Sequence, residues 1–238
     1  MENLFVLILT LIASTVGTIT GFGTSTILVP TLSLQYPLTE TLLFVGVVHW
    51  FGDIWKMVFF KKGANWKLIF LFGFTGIIVS YISARLAGIF PEDILQKMLG
   101  GVLLAYVTFI KINPKWKLPK TNTNALIGGG MSGFFSGLFG VGGAVRSTFL
   151  TAYNLDKAVF LFTSGAIGLL IDSSRLAGYV SGGIKLTNYS FPTLIAAVIV
   201  SLVGAYTAKQ VVNKIPQEKF RMIIAIALFI VGIRYLFF

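Results

Sequence analysis

Long apolar runs follow one another from Leu4 to the C-terminus of this chain, and very few charges interrupt them. The runs are continuous rather than alternating, and each is near the ~20 residues that a helix needs to cross a ~30 Å hydrocarbon core. Backbone polar groups in lipid must be satisfied within the chain, so such runs have to be helices. Charged residues make up 11% of the sequence, against roughly 25% in soluble domains. The N-terminal run reads as part of the fold and not as a leader. Glu2 stands where a leader carries basic residues, and no small-residue cleavage site closes the run.

The pattern divides into ten segments, five in each half. The first half gives Leu4–Thr20, Phe22–Gln35, Thr39–Phe60, Trp66–Phe90 and Glu92–Ile112. The second gives Asn124–Phe139, Val141–Tyr153, Lys157–Val180, Thr187–Val212 and Pro216–Phe238. The expected organisation is a first repeat over 1–112, a cytoplasmic linker over 113–123 and a second repeat over 124–238, all within one transmembrane domain. The second segment of each half is short and adjoins a glycine cluster, which predicts a broken or re-entrant helix there.

The halves repeat each other. Gly21-Phe22-Gly23 with Asp53 and Lys56 recurs as Gly140-Val141-Gly142 with Asp172 and Arg175, each pair separated by 119 positions in a chain of 238. Five segments per repeat is an odd number, so the second copy is expected upside down relative to the first. Basic loop residues agree with that. Lys61, Lys62, Lys67, Lys111, Lys115, Lys117, Lys120, Lys157, Lys209, Lys214, Lys219 and Arg221 fall on one side, while only Arg85, Lys97, Lys185 and Arg234 fall on the other. The positive-inside rule makes the first side cytoplasmic and places both termini outside a cell membrane. The same distribution explains the net charge of +11 without nucleic acid, since no basic stripe forms.

Three basic residues lie inside segments: Lys56, Arg146 and Arg175. A charge at the bilayer centre costs about 2.5–3.5 kcal/mol on insertion scales, so each needs a partner or a polar cavity. Asp53 and Lys56, like Asp172 and Arg175, are three residues apart and share a helix face. They are either ion pairs that hold the bundle together or parts of a gate or proton relay. Arg146 has no acidic residue within one helical turn, and its repeat position is Ile27. It either contacts an anion, as planar guanidinium donors do, or extends to the cytoplasmic interface. Helix breaks favour anions through freed N–H groups and helix dipoles. The candidate binding set is therefore Arg146 with Gly21, Gly23, Thr24, Ser25, Gly140, Gly142, Gly143 and Ser147. His49, Asp53, Lys56, Asp172 and Arg175 form the candidate gate or relay. His49 is the only histidine and shares a face with Asp53; it is either a titrating group or a satisfied structural residue. Gly128-Gly129-Gly130 reads as helix packing. Trp50, Trp55, Trp66 and Trp116 lie near segment ends or loops, with Trp66 and Trp116 as interfacial anchors.

Several classes drop out. There is no cysteine, hence no disulfide or thiolate site. No G-x-x-x-x-G-K-[ST] is present, which argues against ATP-driven transport by this chain alone. No nucleophile–base pair, clustered metal ligands or cofactor motif is found, so no enzyme, metal or cofactor is expected.

Gly133-Phe134-Phe135-Ser136-Gly137-Leu138-Phe139-Gly140-Val141-Gly142-Gly143 resembles the second-half glycine signature of the TauE/SafE sulfite and organosulfonate exporters. Gly21-Phe22-Gly23-Thr24-Ser25-Thr26-Ile27-Leu28-Val29-Pro30 resembles their first-half signature, closing proline included. The two-half plan fits as well. Arg146 and Phe149 depart from the second signature, where the family has apolar residues and a proline. The resemblance implies a small sulfur-containing oxyanion as substrate. The expected protein is an all-α polytopic secondary transporter with inverted repeats, working by alternating access with a proton gradient or by uniport. An anion channel and a non-transporting scaffold are the competing readings. The expected partners are a small anion and the lipid bilayer, with a homodimer as one option for assembly.

Overall fold

Each predicted glycine break stops a helix. The computed structural model describes residues 2–113, 118–212 and 217–237, so Pro114, Lys115, Trp116, Lys117, Lys214 and Pro216 lie outside the described residues. Within them the chain is all helical. The order is α1 (Glu2–Thr20), α2 (Ser25–Leu32), α3 (Leu38–Phe59), α4 (Trp66–Ala87) and α5 (Glu92–Ile112). Then follow α6 (Asn122–Phe139), α7 (Gly142–Thr151), α8 (Lys157–Ser181), α9 (Phe191–Val211) and α10 (Gln217–Phe237).

Local chemistry sets the boundaries. Pro37 precedes α3 and Pro91 precedes α5, each as the residue before the first helical turn. Glu92 and Asp93 then place negative charge at the positive end of α5. The Thr121 side chain accepts from Asn124 N–H at 3.1 Å, so α6 starts two residues earlier than the hydropathy pattern suggests. Ser190 accepts from Thr193 N–H, and the helix it caps, α9, begins at Phe191 instead of Thr187. The residues before it are bound elsewhere: Glu40 accepts from Thr187 N–H at 2.9 Å and Asn188 N–H at 2.8 Å. Tyr189 stacks on Phe44 with ring centroids 4.1 Å apart; burial pushes its phenol pKa up, so it stays a neutral partner for Thr41. The first break uses up Gly21 to Thr24, which shortens α2 to eight residues.

Among the described residues, five helices are long and apolar enough to cross a membrane: α1, α3, α4, α8 and α9. One helix lies in each of the ten segments read from the sequence. At 1.5 Å per residue, α2 and α7 extend only about 12–15 Å. α5 carries Glu92, Asp93, Lys97 and Lys111, and α6 is rich in glycine. The distribution of side chains is the reverse of a soluble protein's. Phe70, Phe74, Ile78, Ile195 and Ile199 are exposed, whereas His49, Asp53, Lys56, Arg146, Asp172 and Arg175 are buried.

Small residues let the helices meet closely, as membrane bundles require in the absence of a hydrophobic force between helices. α4 packs along α6, where a Cβ on Gly133 would stand 3.0 Å from Gly76 Cα. Gly128 and Gly129 lie in the same packing region, against Phe149 and Phe72, while Gly130 is more open. α1 packs along α9 with Gly204 against Ser14, and α5 along α10 with Gly100 against Gly232. The first helix of each half thus lies on the fourth helix of the other, and α3 and α8 meet at the centre. The halves interlock and do not sit side by side.

Candidate functional site

The two glycine breaks and the two charged helices converge. α1 ends at Thr20, and the chain turns through Gly21 (φ 76°) and Gly23 (φ 84°) before α2. Positive φ is a region that side chains with a Cβ rarely enter. At Gly23 a Cβ would also overlap the His49 ring at Nε2. α6 ends on left-handed Gly140, and α7 starts at Gly142. The breaks touch each other: Ser147 Oγ donates to the carbonyl of Gly21, and Gly143 lies against the carbonyl of Phe22.

Beneath this crossing, α3 and α8 present their charged faces. Lys56 Nζ donates to Asp53 Oδ1 at 2.6 Å, and Arg175 Nε pairs with Asp172 Oδ1 at 2.7 Å. These are the two pairs expected from i,i+3 spacing. The fold then adds a second positive or polar partner to each aspartate from another helix. His49 Nδ1 hydrogen-bonds Asp172 Oδ2 and lies 3.7 Å from Asp53 Oδ2. Arg146 Nη2 reaches 3.9 Å from Asp53 Oδ2, and its Nε donates to Ser164 Oγ at 3.1 Å. The isolation of Arg146 is therefore local only. Its head group is enclosed between α3 and α8 and does not extend to a surface, since the residue is 0% exposed.

The six residues form one buried charged network. Lys56, Arg146 and Arg175 face Asp53 and Asp172, which leaves one positive charge in excess when His49 is neutral. Several polar atoms in it and beside it have no hydrogen-bond partner: Arg146 Nη1 and Nη2, His49 Nε2 and, at the first break, Thr24 Oγ1. The fold also brings His49, Asp53 and Asp172 within 4.8 Å of one another, a cluster that the spacing along the chain does not reveal. A divalent cation there would add charge to a group that is already positive. An anion would remove the excess.

The other candidates divide by position. Thr24 and Ser25 are buried at the first break, with Ser25 opening α2. Gly142 packs on Ser132 and Ser136. Gly140 contacts Val29 and Leu42, so its surroundings are apolar. Ser147 spends its hydroxyl on the opposite break. Ser164 and Tyr179 contact the arginines of the network although sequence reasoning passed over them. Tyr179 OH donates to Gly137 O at 2.7 Å, and Arg175 Nη1 to Ser136 O at 3.4 Å, which ties α8 to the end of α6. Ser164, Gly168, Asp172, Arg175 and Tyr179 recur at steps of three and four along α8; that stripe is the signal that could have found them. Trp50 and Trp55 are not end markers. They lie inside α3, and their indole N–H groups donate to Ser173 at 2.8 Å and Ser201 at 3.2 Å. Trp66 is 70% exposed at the start of α4.

A polytopic helical membrane protein with broken helices meeting over a buried, positively biased network has the build of a small-solute transporter. The family model described as "Sulfite exporter TauE/SafE" matches residues 6–235, and the chain belongs to that family. The family is one of sulfite and related sulfur-compound exporters, so the chain is a multi-pass membrane protein of a transporter family. No curated protein of similar sequence matches it.

Proposed function

We propose that this chain is a secondary transporter that carries a small oxyanion, sulfite or an organosulfonate, across the cell membrane by alternating access. The observation that carries the proposal is the buried charge excess beside the crossing of the two breaks. A buried cation without full compensation is costly, and an oxyanion that accepts from Arg146 Nη1 and Nη2 offsets that cost through charge-assisted bonds. Thr24 Oγ1 is a further free hydroxyl at the same break. Gly21, Gly23, Gly142 and Gly143 would line the anion's path, with Ser25, Gly140 and Ser147 holding the breaks in shape. The paired charges of α3 and α8 would gate it, and a proton gradient would drive it.

Reciprocal packing supports an inverted repeat. α1 lies on α9 as α6 lies on α4, and α3 meets α8 as α5 meets α10; exchanging the halves reproduces each of these contacts. In this reading the loop charges make the basic side cytoplasmic, and both termini would lie outside the cell. All six network residues are buried, which favours a carrier with an occluded centre over an open channel.

The test is anion-dependent thermal stabilisation of the purified protein. Sulfite and organosulfonates should raise Tm of the wild type, and Arg146→Ala should abolish the shift while still folding. If no oxyanion stabilises the wild type, the reading fails. Large single-channel currents in reconstituted bilayers would replace the carrier with a channel.

A further inference from the structure

We infer that His49 sets the charge of the oxyanion accepted by this site: a monoanion when the imidazole is neutral, and a dianion together with one proton when it is charged. The inference rests on the anion reading above.

Each aspartate has one partner on its own helix and one from elsewhere. Asp53 holds Lys56 and Arg146, and Asp172 holds Arg175 and His49. The first set is permanently charged and the second contains the only histidine. In the repeat, the counterpart of His49 is Gly168, and the space beside Gly168 belongs to the other set: a Cβ there would stand 2.7 Å from Arg146 Nη2 and overlap Asp53. An arginine that cannot deprotonate and a histidine that can thus fill equivalent places on opposite sides of one centre.

The tautomer follows from the partners. Asp172, paired with Arg175, is an acceptor, so His49 Nδ1 must donate to it. A second proton can only enter at Nε2. That atom is buried, has no partner, and faces Gly23 in the first break. Protonation therefore creates both a charge and a new N–H donor at the place where the anion is bound. The charged groups around the ring are Asp53 and, through it, Lys56 on α3; Asp172 and Arg175 on α8; and Arg146 on α7, which shares Asp53 Oδ2 at 3.9 Å with the ring's 3.7 Å. The break contributes Gly23 and Thr24, which are uncharged. The total is one positive charge with neutral His49 and two with His49 protonated. Proton and dianion then favour each other by reciprocal linkage, so dianion binding strengthens as pH falls.

The experiment uses two probes whose charge stays fixed between about pH 5.5 and about pH 8.5, the range that spans an imidazole titration. Sulfate is a dianion and methanesulfonate a monoanion throughout. Binding to the full chain in nanodiscs is followed by calorimetry in buffers of different ionisation enthalpy. Sulfate should take up close to one proton, and its affinity should rise by as much as about tenfold per pH unit as pH falls. Methanesulfonate should show less than half that slope. His49→Gln should flatten the sulfate profile until its pH slope equals that of methanesulfonate. Equal slopes for the two anions in the wild type overturn the inference, as does an unchanged sulfate slope in His49→Gln. If that variant does not fold, the wild-type contrast decides alone. If neither anion binds, or if Arg146→Ala binds both as the wild type does, the anion reading itself falls, and the inference with it.

Discussion

The two halves share a scaffold and differ at its centre. Both have a glycine break, a short helix and a helix with an Asp-x-x-basic pair. Yet Arg146 in α7 answers to Ile27 in α2, and His49 in α3 answers to Gly168 in α8. The backbone arrangement is thus nearly symmetric while the charge is not. One aspartate is held by two permanent cations, the other by one cation and a histidine. A few side chains without a counterpart in the other half give the network its sign.

Breaking each aspartate in turn should expose the difference most strongly. Removing one partner of a buried ion pair costs about 3–5 kcal/mol because the other charge is left uncompensated. Asp53→Asn leaves Lys56 and Arg146 without their carboxylate, whereas Asp172→Asn leaves Arg175 beside a histidine that can stay neutral. We expect both to destabilise and Asp53→Asn to be the worse, read as the larger drop in Tm in nanodiscs. Equal losses would mean that the histidine compensates nothing. The breaks come next. Gly23→Ala places a side chain at φ 84° against the His49 ring, with about 1–3 kcal/mol of backbone strain and further overlap. Gly142→Ala meets Ser132 and Ser136 on α6 instead, where Ser136 O accepts from Arg175. Both should weaken anion binding, the first more than the second, because only the first presses on the His49 ring. Thermal shift with and without sulfite ranks the two, and equal losses would remove His49 from the break. Tyr179→Phe is the mildest change. It deletes hydrogen bonds to Ser136 O and Gly137 O, worth about 0.5–1.5 kcal/mol each, with anion affinity changed less than threefold. A larger loss of affinity would bring Tyr179 into the site itself.

What was legible in the sequence was whatever depends on short spacing. The breaks, the Asp53–Lys56 and Asp172–Arg175 pairs and the odd position of Arg146 are all local patterns, and the structure keeps them. The partners of His49 and Arg146 are not local. Asp172 lies on another helix in the other half, and nothing in the period of α3 points to it. Asp53 similarly comes to Arg146 across the bundle, so an arginine that looks unpaired along the chain has a carboxylate in space. Hydropathy alone does not sort the segments by span: it counts apolar residues, but α6 is rich in glycine, α5 carries charges, and an eight-residue α2 is too short to cross. Ser164 and Tyr179 were missed because single hydroxyls on a long apolar helix carry little weight until their partners are known.

The pairing of α1 with α9 has a consequence for how the chain is made. Insertion proceeds from the N-terminus, so the first helix enters the membrane long before the surface it belongs against has been synthesised. Its Ser14 face meets Gly204, which is synthesised 190 residues later. During that interval lipid or an insertase must shield a helix whose final neighbour does not yet exist. Assembly of the first half cannot close on itself, and the bundle is locked only when the ninth helix arrives.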